Sequence, residues 1–65
     1  MEEKNMTKTY LMLPRNLRRT VAGVAIKYGL EFQSNNENEE ITIWGERSQM
    51  EKAMGHLKNE YGILG

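Results

Sequence analysis

The first stretch of the chain alternates between two kinds of position. In residues 7–13 one face holds Thr9, Leu11 and Leu13, and the other holds Lys8, Tyr10 and Met12. A period of two residues predicts a β-strand. Pro14 closes this strand, because proline cannot donate to a sheet ladder and its fixed φ suits the first turn of a helix. Residues 1–6 lack such a pattern, and we expect a flexible N-terminal leader before one domain over residues 7–65.

The following stretch changes to a helical period. Between Asn16 and Tyr28 large apolar residues recur at the spacing of one helix face, namely Leu17, Val21, Val24 and Tyr28. This spacing predicts an amphipathic helix with one face against a core. Gly29 supplies the left-handed residue that ends many helices.

Two short strands and a polar loop are predicted next. Residues 30–33 and residues 40–44 each alternate as a strand would, and Gly45 ends the second of them. The intervening residues 34–39 are Ser, Asn and Glu only, a composition typical of a hairpin loop.

The last predicted element is a helix with a capping box. Ser48 and Glu51 have the spacing at which each side chain bonds the other residue's backbone N–H, which places the helix start at Ser48. Gly62 ends the helix. Its apolar stripe is Met50, Ala53, Met54, Leu57 and Tyr61.

These elements predict an α+β fold in the order β-α-β-β-α. A single domain with two helices packed on one face of a three-stranded sheet is the simplest architecture that buries all the apolar stripes. The predicted core is Leu11, Leu13, Leu17, Val21, Val24, Tyr28, Leu30, Phe32, Ile41, Ile43, Met50, Met54, Leu57 and Tyr61.

Composition then limits the chemistry. The 65 residues include no Cys and one His, and all nine acidic residues are Glu. Neither a disulfide nor a thiolate zinc site can form, and we expect no metal and no cofactor. The N-terminus lacks the layout of a secretory signal, and no apolar run is long enough to span a bilayer. We therefore expect a soluble cytoplasmic protein with no membrane partner.

Catalytic motifs are also absent from the sequence. His56 has Lys52 and Glu60 at i−4 and i+4, which predicts a surface row of ion pairs and not a catalytic pair. No phosphate-binding glycine loop, dinucleotide turn or metal spacing occurs. We expect a protein that is not an enzyme.

The first helix carries a candidate anion-binding stripe. The net charge is zero, but the charges are separated along the chain. Residues 1–33 hold six Lys/Arg and three Glu, and residues 34–65 hold three Lys/Arg and six Glu. Opposite the predicted core stripe lie Arg15, Arg18, Arg19, Ala22 and Ile26. Such a stripe is typical of a solvated helix face, of contact with a phosphate backbone, or of contact with an acidic protein.

A second candidate surface is the sheet face away from the helices, where the alternation places Tyr10, Met12 and Trp44. Exposed aromatic and Met side chains are enriched where proteins dock or bases stack. The alternative is that Trp44 folds over the sheet edge onto Gly45.

The glycines inside the two helices, Gly23 and Gly55, are either simply tolerated or allow close approach of a partner.

The second half of the chain resembles a KH domain. Over residues 17–62 a helix ends near Gly29, and a strand, a polar loop, a strand closing on Gly45 and a final helix with Met50 and Ala53 follow. The Gly-x-x-Gly loop with which KH domains hold nucleic acid is absent, because only sixteen residues separate Leu13 from Leu30. The resemblance implies KH-like topology without the KH clamp.

The leading hypothesis is therefore a small KH-like module that binds RNA or single-stranded nucleic acid. Its expected nucleic-acid-binding residues are Lys8, Arg15, Arg18 and Arg19. The alternative is a protein–protein interaction module, either a small regulator or inhibitor of a larger complex or a homodimer joined through the open sheet face. Its expected partner-interface residues are Tyr10, Met12, Ile26 and Trp44.

Overall fold

A computed structural model describes residues 5–63, so that residues 1–4 of the predicted leader and residues 64–65 lie outside the described residues. The elements are β1 (Met6–Met12), α1 (Arg15–Lys27), β2 (Glu31–Asn35), β3 (Glu40–Glu46) and α2 (Arg47–Tyr61). The three strands form an antiparallel sheet in the order β1-β3-β2. The predicted α+β fold and its β-α-β-β-α order are confirmed.

The strand register decides which side chains share a face. Ile43 lies between Thr9 of β1 and Phe32 of β2, and directly opposed residues point to the same side of a sheet. This inner side also holds Ile41 and packs against both helices in one core. The outer side carries Met6, Lys8, Tyr10, Met12, Glu31, Gln33, Asn35, Glu40, Thr42, Trp44 and Glu46.

The observed core contains most of the predicted residues, but two predicted aromatic residues lie outside it, and Ala25, Ala53 and Ile63 are buried although the predicted core did not include them. Phe32 was expected to be buried, but it is 39% exposed because β2 is an edge strand that α1 does not fully cover. Tyr61 was also expected in the core and is half-exposed, because it is the last residue of α2. The buried apolar residues are Leu11, Val21, Val24, Ala25, Leu30, Ile41, Ile43, Met50, Ala53, Leu57 and Ile63.

Both helices end at the predicted glycines. Gly29 and Gly62 have φ values of +74° and +68°, a conformation that glycine adopts at little cost. After Gly62 the N–H of Ile63 donates to Leu57 O at 3.1 Å, and the Ile63 side chain packs into the core. The end of α2 is thus fixed by a hydrogen-bonded turn and a buried side chain together.

The predicted capping box at the start of α2 is wrong. The strand β3 runs directly into α2, which begins at Arg47, and no side chain caps its first amides. The Ser48 hydroxyl instead donates to the Glu46 carboxylate at 2.9 Å, and Glu51 forms an ion pair with Arg47 at 3.6 Å. The Arg47 N–H donates a hydrogen bond to Asn5 O at 2.7 Å. The residue just before β1 therefore supports the start of α2.

Gly45 lies inside β3 and does not end it, contrary to prediction. Its role is conformational and steric, because its φ of +157° is one that residues with a side chain rarely adopt and a Cβ at this position would lie 2.5 Å from Leu30 Cδ2. The missing side chain therefore lets Leu30, which leads into β2, pack directly over the central strand.

Candidate functional site

Arg18 is buried, although it was expected on an exposed stripe. Only 4% of the residue is exposed. Its Nε donates to Leu13 O at 2.9 Å, and its Nη1 donates to Ser34 Oγ and to Asn36 Oδ1, both at 2.9 Å. Nη1 also lies 3.3 Å from Asn35 O. The guanidinium therefore joins the segment before α1 to the end of β2 and the hairpin loop.

The burial of Arg18 follows from its position on α1. The residue lies one turn before Val21, on the flank of the core stripe that faces β2, and the polar hairpin loop reaches that flank. A buried guanidinium requires acceptors, and oxygen atoms of Leu13, of the end of β2 and of the loop supply them. A helical projection cannot show this, because it contains no information on which flank meets a neighbouring loop.

The remaining predicted cations do not form one surface. Arg15 and Arg19 are exposed on α1, on the helix side of the sheet. Lys8 lies on the outer side, with its Nζ 5.7 Å from the centroid of the Trp44 ring. The four residues expected to bind nucleic acid are thus divided between two exposed surfaces and one buried position.

The outer sheet face exposes apolar side chains. Tyr10 is 60% exposed and Met12 is 66% exposed, while Trp44, in the central strand, is half-buried between Lys8 and Glu31. Ile26 is 67% exposed but lies on α1, away from this face. The predicted partner-interface set is therefore brought together except for Ile26.

The free edge of β1 borders this face. Leu13 N–H donates to Glu39 O at 2.9 Å, and Asn5 O accepts from Arg47, so the odd-numbered residues of β1 bond to β3. In an antiparallel ladder the alternate residues direct their backbone groups away from that partner. Those residues are Met6, Lys8, Tyr10 and Met12, whose side chains are all exposed on the outer side. Sequence patterning missed this edge because it does not give strand order.

His56 is placed between two tyrosines. Its Nδ1 is 3.3 Å from the Tyr28 hydroxyl, and its ring centroid is 5.8 Å from that of Tyr28 and 5.8 Å from that of Tyr61. The predicted ion-pair row with Lys52 and Glu60 is wrong for the residues that the structure describes, where the one ion pair is Arg47 with Glu51. The approach of α1 to α2 brings Tyr28 to His56 instead.

Two further findings concern metals and membranes. Within residues 5–63, no group of three His, Cys, Asp or Glu side chains has a geometry that could hold a metal ion. Neither of the two helices in this part of the chain is long and apolar enough to cross a bilayer.

Comparison with known proteins gives no relative: no protein-family model, no curated protein and no solved structure matches this chain.

Proposed function

We propose that the protein is an interaction module that pairs with a second copy of itself through the free edge of β1. The observation that supports this most is the coincidence of unpaired backbone groups and exposed apolar side chains on the same four residues, Met6, Lys8, Tyr10 and Met12. An uncovered edge strand is a ready template for another strand. Backbone pairing supplies the affinity, and the alternate side chains select the partner.

The register of this pairing follows from the residues. Two antiparallel copies of β1 related by a two-fold axis at Thr9 place Lys8 opposite Tyr10 of the other copy and Met6 opposite Met12. All four outward-facing residues then exchange backbone hydrogen bonds. Centring on Lys8 would oppose two like charges, and centring on Tyr10 would leave Met6 without a partner.

Edge pairing is favoured over stacking of two outer faces. The outer face also carries Glu31 and Glu40, and burying unpaired carboxylates between two stacked sheets is costly. Edge pairing leaves these carboxylates in water. It also places Lys8 between Trp44 of its own chain and Tyr10 of the other, where both rings attract the ammonium group.

The test is the oligomeric state of the full chain by sedimentation equilibrium over a series of concentrations. We expect a dimer that Tyr10→Lys weakens, because the new charge faces Lys8 of the other copy twice in each dimer. Two such like-charge contacts, at up to about 1 kcal/mol each, raise the dissociation constant roughly tenfold.

The matched control is Ile26→Lys, which places the same charge on an equally exposed apolar residue of α1. This variant should dimerise as the parent does. A parent that is a monomer at all concentrations, or a dimer that Ile26→Lys disrupts and Tyr10→Lys does not, contradicts the proposal.

A second candidate function is binding of RNA or single-stranded nucleic acid through α1. The KH-like pattern of residues 17–62 favours it, as does the charge of α1, which has no acidic residue and exposes Arg15, Arg19 and Lys27. The proposed site does not include Lys8 and Arg18, because Lys8 lies on the outer side of the sheet and Arg18 is buried. The proposed binding residues are therefore Arg15 and Arg19, joined by Lys27.

Fluorescence anisotropy with a short single-stranded RNA tests this candidate. Binding should weaken as salt is added, because cations that bind phosphates release counterions. Arg15→Glu with Arg19→Glu should abolish binding, whereas Lys8→Glu should leave it unchanged. Binding that is insensitive to salt, or that survives the double substitution, excludes this function.

A further inference from the structure

A cavity of about 280 Å³ lies between the two helices, away from the sheet face and the β1 edge. Its α1 wall is one helix face, and its α2 wall is formed by His56 and Tyr61. The volume is just below the range of about 300–1,000 Å³ that small-molecule sites occupy, so a small ligand would fit. The residues that line it are Arg19, Thr20, Gly23, Val24, Lys27, His56 and Tyr61.

The two cations of this cavity are arranged around Gly23. Arg19 lies one turn before Gly23 and Lys27 lies one turn after it, on the same face of α1. The space over Gly23 is open, because a Cβ built there meets no atom within 4 Å. A side chain at this position would occupy that space between the two cations. Both long side chains can therefore reach a ligand that rests over the backbone at Gly23.

The α2 wall adds a third nitrogen donor. The Nδ1 of His56 is engaged with the Tyr28 hydroxyl, which leaves Nε2 free of any protein hydrogen bond among the described residues. When the Tyr28 hydroxyl donates to Nδ1, the Nε2 atom carries the proton and can donate. Lys27 lies near the same tyrosine, with its Nζ 5.9 Å from the centroid of the Tyr28 ring.

No acidic side chain is among the described residues that line the cavity. Arg19 and Lys27 have no ion-pair partner within residues 5–63. Two cations without an ion-pair partner and an N–H donor provide the recognition chemistry of a doubly charged anion, and Gly23 leaves space between them. The ring of Tyr61 at the rim offers an apolar contact for the carbon part of such a ligand.

We infer that the cleft between α1 and α2 binds a small phosphomonoester through Arg19, Lys27 and His56, with its phosphate over Gly23. A monoester carries about −1.5 to −2 charges at neutral pH and matches two cations. An internal phosphodiester of a nucleic acid carries a single charge and continues on both sides, which suits a cleft of this size poorly. This site is independent of the proposed pairing through β1, but it shares Arg19 and Lys27 with the second candidate function, so the phosphomonoester and RNA are alternative ligands of these two side chains.

The experiment is an NMR titration of the full chain with glycerol 3-phosphate and with adenosine 5′-monophosphate, at constant ionic strength. The reporters are the Gly23 amide and the His56 ring protons. We expect both to shift with saturation, and inorganic phosphate to compete at the same resonances. An oligonucleotide without a terminal phosphate should not compete.

The variants are matched in pairs. Arg19→Gln should weaken binding about tenfold, the value of one charged hydrogen bond, while Arg15→Gln on the same helix should change it less than twofold. Gly23→Ala should weaken binding because its methyl group enters the cavity, whereas Gly55→Ala, which also meets open space, should not.

Three results would overturn the inference. One is a set of shifts no larger than those caused by sodium chloride of equal ionic strength. Another is equal competition by the oligonucleotide that lacks a terminal phosphate. The third is equal binding by Gly23→Ala and Gly55→Ala.

Discussion

The two edges of the sheet differ in almost every property that governs strand pairing. The β1 edge directs the backbone groups of four residues outward and flanks them with Met6, Tyr10 and Met12. The β2 edge is shorter. By the same alternation, only Phe32 and Ser34 of its five residues direct their backbone N–H and C=O groups away from β3. The end of β2 is also tied by Arg18, which bonds Ser34 and the hairpin loop.

This difference bears on how large an assembly can become. A molecule with two uncovered edges can add copies without limit, whereas a molecule with one such edge closes as a two-fold dimer. If the proposed pairing through β1 holds, we expect Arg18 to affect assembly as well as stability, because its hydrogen bonds hold the end of β2 and the loop in place.

The largest expected effect comes from removing the side chain that ties β2. Arg18→Ala leaves Leu13 O and the loop acceptors without their donor, so we expect the free energy of unfolding to fall by about 2–4 kcal/mol. Urea denaturation at one fixed protein concentration, followed by Trp44 fluorescence, measures this. Arg19→Ala is the control and should change stability by less than about 0.5 kcal/mol.

The same variant also tests the comparison of the two edges. With the β2 end released, Arg18→Ala should form species larger than a dimer in light scattering at temperatures where it is still folded. If Arg18→Ala and Arg19→Ala have the same stability and the same mass, Arg18 does not protect the β2 edge.

A smaller effect is expected from a substitution in β3 that displaces Leu30, the residue before β2. Gly45→Ala places a side chain on a backbone with φ of +157° and a methyl group 2.5 Å from Leu30 Cδ2, so that the backbone is strained and Leu30 must move. We expect a loss of about 1–3 kcal/mol, as for other overpacked cores. Amide hydrogen exchange should show faster opening in β2 than in β1. Equal acceleration in both edge strands would mean that Leu30 does not support β2 in particular.

The smallest expected effect is a gain. Gly55→Ala lies in α2, where a Cβ meets no atom within 4 Å, and alanine is the better helix former by about 0.5–1 kcal/mol. The midpoint of thermal unfolding should rise while the dimer dissociation constant stays the same. A changed dissociation constant would show that α2 contributes to pairing, which the two-edge comparison does not include.

Sequence patterning predicts the element order well, because each element has a local signal. The period change at Pro14 and the left-handed glycines at Gly29 and Gly62 depend only on neighbouring residues. The faces of β1 also follow from alternation alone, which is why Tyr10 and Met12 are correctly placed on the open side.

Features that depend on tertiary packing are not predicted. The burial of Arg18 requires knowledge of where the hairpin loop meets α1, and the exposure of Phe32 requires the strand order. The capping box fails because β3 continues into α2, although Ser48 and Glu51 have the correct spacing. The cleft around His56 depends on how the two helices approach each other.

The most direct test of the pairing proposal is a charge exchange across the two-fold axis. In the proposed register, position 8 of one copy faces position 10 of the other. Sedimentation equilibrium should therefore find that Tyr10→Lys weakens the dimer and that Lys8→Glu combined with Tyr10→Lys restores it, because opposite charges again face each other. A double variant as weak as the single one, or a parent chain that never dimerises, would contradict pairing through β1.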